Sequence, residues 1–187
     1  KAHKKYHPII RSFLERFGYY DVFLVDTTGD VIYTVFKETD FASSLIKGPF
    51  KNSNLAECFR KTMQIKNHDE AALVDFSEYL PSYNAHASFM GTPVFEKGKV
   101  IGILIFQMPI DNINNIMTNN RDWANVGLGK TGETYIVGEN YTLRNQSRFL
   151  IEDSLNYFRM LKNIGTPRST ISKIRNFRSS VGLQEVK

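Results

Sequence analysis

The chain has 187 residues, 42% hydrophobic and 23% charged, with a formal net charge of +5. That composition suits a globular protein with room for one full core and part of a second. Its Lys and Arg are dispersed apart from small clusters at Lys1–Lys5 and Arg168–Arg178, so the basic stripe of a nucleic-acid binder is missing, and the longest apolar run, Val100 to Phe106, is far short of the ~20 residues that cross a bilayer.

The opening segment is helical: Ile9, Ile10, Phe13, Leu14 and Phe17 recur at helix spacing and Gly18 supplies a stop. Two strands follow, "YYDVFLVD" and "DVIYTVF", joined at Asp26 to Asp30 by residues that suit a hairpin. A loop from Lys37 to Ser53 leads to a second helix, from about Leu55 to Ile65, with Asn54 as its expected cap and Glu57 reaching back three residues. Cys58 lies between apolar positions of that helix and reads as a small core residue. As the only cysteine it cannot form an intramolecular disulfide, and it leaves the redox compartment open.

Three more strands follow, "AALVDF", "HASFMGTPVF" and "KVIGILIFQM", the last two joined by a tight hairpin at Glu96 to Lys99. In the third, Val100, Gly102, Leu104 and Phe106 line one face and Ile101, Ile103 and Ile105 the other. A strand apolar on both faces is central and covered on both sides. Gln107 breaks the pattern at its end, and Pro109 then starts a helix carrying Ile110, Ile113, Ile116 and Met117. After a polar break, "ETYIVG" and "YTLRNQS" read as a further hairpin, and the segment from Asp153 as two short helices separated by Gly165-Thr-Pro167. The order of elements predicts an α+β domain, an antiparallel sheet of about five strands with helices packed on it. No signal peptide opens the chain. Its polar, helix-like start and its end without a closing element read as a piece of something longer.

The stretch "ANVGLGKTGETYIVG" fits a relaxed phosphate-binding loop, with Ala124 in place of the first glycine and Gly129, Lys130 and Thr131 at its end. Such a loop needs a buried strand before it and a helix after it, so that backbone N–H groups cradle the phosphates. Here a polar linker precedes the glycines and a segment of strand character follows. Nucleotide hydrolysis is therefore not expected; absence of stabilisation by ATP and Mg²⁺, and no effect of Lys130→Ala, is the cheap check. No nucleophile elbow, His–Glu–x–x–His or carboxylate cluster in a glycine-rich setting is present, and no enzyme activity or cofactor is expected. His3 and His7 have the spacing of two ligands to one metal but lack a third, and read as a solvated helix face.

Taken in order, "GYYDVFLVDTTGDVIYTVFKETDF", "GPFKNSNLAECFRK", "FMGTPVFEKGKVIGILIFQMPIDNINNIM" and "GLGKTGETYIVG" resemble the Cache family of sensor domains, also called PDC sensors. These are extracytoplasmic ligand-binding domains of bacterial chemoreceptors, sensor histidine kinases and nucleotide cyclases. The match runs over roughly residues 6 to 148. It implies a PAS-like sheet, a long N-terminal helix packed on one face, and a small-molecule pocket on the other. Many such receptors carry two modules in tandem, so residues 1–125 are expected to form one sensor module and 126–187 the opening hairpin and helices of a second, incomplete one. The full-length protein is expected to be membrane-anchored, with this region periplasmic and signalling through its N-terminal and C-terminal helices. The alternative is an intracellular PAS-like interaction module; a membrane-spanning helix upstream would decide between them. The first helix is expected to pair with its mate in a homodimer, weakly, because its solvent face carries Arg11, Glu15 and Arg16.

The resemblance also nominates site residues. Amino-acid-binding members carry an Arg-x-Trp-like element before the second helix, a Tyr near the third strand and an Asp ending the central strand. Here Phe50 stands where the Trp would lie, Tyr83 keeps the tyrosine role, and Gln107 replaces the Asp. Gln offers hydrogen bonds but no compensating charge for a buried ammonium, so a neutral or anionic ligand is expected in preference to an amino acid. Tyr79 and Phe89 join Phe50 and Tyr83 as expected pocket walls. Gln107, a lone polar residue ending a buried strand, must find a partner. Asp75 either holds a ligand amine or faces solvent, and His86 is either a pocket or a rim residue.

Overall fold

The computed structural model describes residues 1–186. Contacts divide the chain into two compact units, 1–109 and 110–187.

The first unit begins with α1 (Ala2–Phe17), which ends where Gly18 turns left-handed at φ 70° and its N–H bonds the Leu14 carbonyl. Strands β1 (Val22–Val25) and β2 (Val31–Thr34) form the expected hairpin, and α2 (Asn54–Thr62) follows the loop. Then come β3 (Ala72–Glu78), a 3₁₀ turn (Leu80–Ser82), β4 (His86–Glu96) and β5 (Lys99–Gln107). All neighbouring strands are antiparallel, in the order β2-β1-β5-β4-β3. The strand read as apolar on both faces is therefore central. Its Ile103 and Ile105 are wholly buried beneath α2, with Phe23, Leu55, Ala56, Cys58, Phe59 and Phe89. Its Leu104 and Phe106 pack on the other face with Leu14, Val22 and Val35, under α1. The fold is α+β and PAS-like, with the leading helix on one sheet face.

Helix α2 sits very close to the sheet because β4 has a glycine beneath it. A Cβ on Gly91 would lie 2.4 Å from Thr62 Oγ1 and 3.0 Å from Cys58 Sγ. Cys58 is fully buried, and desolvation pushes its thiol up to about 12, so it is an inert core residue. The helix cap is Ser53, not Asn54: the Ser53 hydroxyl accepts from the Ala56 N–H at 3.2 Å. Asn54 turns inward and donates to the Ala87 carbonyl at 2.6 Å, tying the helix to β4. Glu57 pairs with Lys61 one turn on instead of reaching back.

The second unit holds α3 (Ile110–Met117), α4 (Arg148–Glu152), α5 (Ser154–Asn163) and α6 (Arg168–Phe177). Asp153 caps α5. Tyr157, Leu161, Ile171 and Ile174 form its core. The hairpin expected from "ETYIVG" and "YTLRNQS" does not form as strands. Among the described residues the two segments share the isolated bridge Val137–Leu143 and the backbone bonds Gly138 N–H to Thr142 and Arg144 N–H to Ile136, and a second bridge, Thr142–Glu185, ties the latter segment to the end of the chain. Tyr135, Ile136 and Val137 are exposed. Their alternation had no sheet to dock on, and an isolated two-stranded ribbon is marginal in water.

Candidate functional site

The polar groups of the first unit gather on the α2 face, at the end of the sheet where β5 finishes. Gln107 lies there, 4% exposed. The Gln107 N–H donates to the Asp21 carbonyl at 2.9 Å, and Phe89 is its partner on β4. Asp21, Gln107 and Phe89 therefore form one row across three adjacent chain segments. Strand alternation turns all three side chains to the same face, because Phe23 and Ile105, two residues away, point into the α2-side core. The 3₁₀ turn and the loop after β2 cover this row. The Gln107 amide donates to Ser82 Oγ at 3.1 Å, and the Tyr79 hydroxyl donates to Asp40 Oδ2 at 2.6 Å.

Of the expected pocket residues, Gln107, Tyr79, Phe89 and Phe50 are buried on this face. Tyr79 packs edge-to-face on Phe89 at 5.0 Å, and Phe89 on Phe23 at 6.0 Å, so the floor beside β4 is filled by the protein's own rings. The other two candidates, Tyr83 and Asp75, lie at the surface. Tyr83 is 85% exposed, because the 3₁₀ turn ends on it in the left-handed region and throws its ring outward. Asp75 is exposed and accepts from its neighbour's N–H, Phe76, at 2.7 Å; Val74 beside it enters the core, so alternation sends Asp75 to the opposite face. His86 is half-buried at the start of β4, paired with Glu78 across the ladder.

Sequence reading missed the acidic character of this corner. Asp21 and Asp40 are wholly buried and Glu38 half-buried. Asp21 Oδ1 accepts from the Val22 and Val35 N–H groups at 2.7 and 2.9 Å, while its Oδ2, Asp40 Oδ1, Glu38 Oε2 and Gln107 Oε1 are buried without a partner. Burial pushes the Asp21 carboxyl up to about 6, against the pull of its backbone N–H donors. Burial likewise raises Asp40, with the Tyr79 hydroxyl pulling the other way. Glu38 is raised first by burial and then by the negative charges of Asp40 and Asp21. Tyr20 donates to Glu38 at 3.4 Å, and its ring lies tilted against Phe36 at 6.3 Å; both rings are exposed at the rim. The preference for a neutral or anionic ligand rested on position 107 alone. The charge that Gln107 lacks stands across the strand pair, on Asp21.

The glycine stretch is not a phosphate cradle. Gly129 and Gly132 turn their carbonyl oxygens, not their N–H groups, toward a cation: Arg148 Nη1 donates to them at 3.0 and 2.7 Å. The same guanidinium bonds Glu152 at 2.8 Å and lies over the Trp123 ring. Lys130 is exposed. His3 and His7 stack on each other, and His7 meets the Tyr33 hydroxyl at 2.9 Å, so the pair rests on β2 rather than on a fully solvated face. Among the described residues no group of three His, Cys, Asp or Glu is placed to hold a metal ion. The second unit also has an open groove of about 980 Å³ bordered by Asp111, Arg121, Arg175 and Arg178.

No family model and no curated protein matches the sequence. Solved structures do match. The ligand-binding domain of the Campylobacter jejuni chemoreceptor Tlp3 in complex with 4-methylisoleucine aligns with a TM-score of 0.55 and 11% identity, over 92% of this chain and 57% of that one. The same domain with L-valine aligns at 0.53 and 11% identity, over 92% and 59%. The chain has the fold of a Cache-type sensor domain. A further match, the sensor domain of the Vibrio cholerae histidine kinase DctB, aligns at 0.44 and 13% identity, over 58% of this chain and 38% of that one. This chain thus spans less than two thirds of these domains. The two Tlp3 structures are of one chemoreceptor's ligand-binding domain, and the DctB structure is of a histidine kinase's sensor domain. Among the described residues no helix is long and apolar enough to cross a membrane.

Proposed function

We propose that this chain is the extracytoplasmic ligand-sensing region of a membrane-anchored bacterial signalling receptor. It binds a small molecule on the sheet face opposite α1 and signals through its terminal helices. The observation that carries the reading is Gln107: in a Cache-type fold, the side chain ending the central strand is buried on that face with its Oε1 unpartnered. Orphaned buried acceptors are rare in native proteins, and a ligand donor is the natural partner for this one. The bound amino acids in the Tlp3 structures support a small-molecule site in the fold. Residues 126–187, with α4, α5 and α6, fit the opening part of a second module.

Signalling requires that the ligand bind two arrangements of the helices with different affinity. Helix α1 has a surface for a second copy: Tyr6, Ile9, Phe13 and Phe17, three or four residues apart, are all 42% exposed or more. The test of the site is a thermal-shift screen of the whole chain against amino acids, carboxylates, amines and purines, followed by Gln107→Ala. The variant is expected to fold and to lose any shift found. An unchanged shift would remove the proposed site.

A further inference from the structure

Asp21, Asp40 and Glu38 are brought together by different segments: the start of β1 and the loop after β2. None of the described Lys, Arg or His side chains forms an ion pair with any of them. Burying uncompensated carboxylates costs several kcal/mol per ion even after relaxation, and their mutual repulsion adds to it. Such groups persist where something positive completes them. Gln107 supplies an independent observation. It is 4% exposed, stands beside Asp21 in the cross-strand row, and keeps an unpartnered acceptor, Oε1, although its amide is engaged by Ser82. The four orphaned oxygens at this corner are all acceptors. What they lack is a compact donor with positive charge.

We propose that Asp21, Asp40, Glu38 and Gln107 bind the ammonium group of a small organic amine that carries no carboxylate. The proposal rests on the sensing role proposed above and names its ligand class. An ammonium has three donors on a single positive centre and can serve acceptors from more than one of these groups. A metal ion fits less well, because no three acidic or imidazole groups here are placed as a coordination set. A ligand carboxylate would meet like charge with no cation paired into the corner. At the rim, Tyr20 and Phe36 present exposed rings beside Glu38. Aromatic faces attract organic cations and desolvate their alkyl parts, so the rim selects the same chemistry as the floor.

The test is isothermal titration of the whole chain at pH 7.5 with ethylammonium, 1,4-diaminobutane, L-alanine, acetate and calcium. One or both amines are expected to bind, and L-alanine, acetate and calcium not to. Asp40→Asn and Asp21→Asn are expected to weaken amine binding by about thirtyfold or more, the usual cost of removing one member of a buried charge pair. Glu38→Gln, at the half-buried edge, leaves the buried carboxylates in place. It is expected to weaken binding by less than they do, and it reports on the site if the Asp variants unfold. Calcium binding that excludes the amines, or alanine binding as tightly as ethylammonium, would overturn the proposal. So would amine binding indifferent to all three substitutions. If amines fail while a neutral or anionic compound binds and depends on Gln107, this proposal falls and the sensing site stands. If no class binds, both fall.

Discussion

A carboxylate buried at the edge of a sheet makes a measurable demand on the protein. Desolvation holds the Asp21 carboxyl up near 6, against an ordinary value of 3.8. An acid that holds its proton more tightly folded than unfolded makes folding take up a proton. Its destabilising effect is therefore full where both states are ionised, above about 7. It is relieved as pH falls through about 6 toward 4, and constant below that. Asp40 and Glu38 are raised as well and act in the same direction. Asp26, lowered by the Thr28 hydroxyl and backbone donors, acts oppositely, only near and below about 4. Asp21 alone corresponds to about 3 kcal/mol at full effect. The ligand-free protein is expected to gain denaturant stability between pH 7.5 and 5, and Asp21→Asn to flatten that slope. A flat profile in the unmodified protein would show that the corner is hydrated or already neutralised. Tyr79→Phe acts at the same scale. It strips the donor from a fully buried Asp40 and is expected to cost about 1–3 kcal/mol by urea unfolding at pH 7. Gln107 was legible in the sequence because a lone polar residue ending a strand apolar on both faces has few explanations. Asp21 was not. The strand reading of "YYDVFLVD" covers Asp21 without assigning it a role, and its burial arises only when the loop around Asp40 folds over it.

At the scale of elements the first unit was legible: apolar segments separated by turn residues marked all five strands, and the doubly apolar run found the central one. Caps were less legible, since Ser53 and Asn54 are both good capping residues and only the reach of Asn54 to Ala87 decided between them. The second unit shows the opposite failure. "ETYIVG" has strand composition, but strand formation depends on a partner surface more than on propensity, and here the segment makes one bridge. The contact between α2 and β4 is testable. Gly91→Ala would push a methyl into Thr62 and Cys58 across a closely packed interface. It is expected to lower stability by about 1–3 kcal/mol, as overpacking does, with thermal melting as the readout. The exposed stripe on α1 makes a separate demand. If a second copy covers it, Ile9→Lys will shift sedimentation equilibrium toward monomer while leaving the melting temperature of the monomer within about a degree, because Ile9 is 64% exposed.

Across the whole molecule the two units are held by different physics. The first unites fifteen buried residues in one cluster on the α2 side and three more under α1. The second has a core cluster of four and relies on polar ties: Arg148 to Gly129, Gly132 and Glu152, Glu133 to Ser147 and the Arg148 N–H, and Gln146 to Ser180. Such ties contribute a net of only about 0.5–1.5 kcal/mol each, somewhat more where charged, whereas buried apolar side chains contribute about 1.5–3 kcal/mol apiece. Local stability should therefore differ between the units. Native-state hydrogen exchange is expected to find the slowest amides at Phe23, Phe89, Ile103 and Ile105, and fast exchange through 133–145, where single bridges replace a ladder. Arg148→Met keeps much of the side-chain volume but removes three hydrogen bonds and the cation over Trp123. It is expected to accelerate exchange in residues 123–152 by about tenfold or more, corresponding to ~1.4 kcal/mol, and to leave β4 and β5 unchanged. Equal acceleration in both units would mean that they unfold as one cooperative body, and the division at Pro109 would then describe contacts but not energetics.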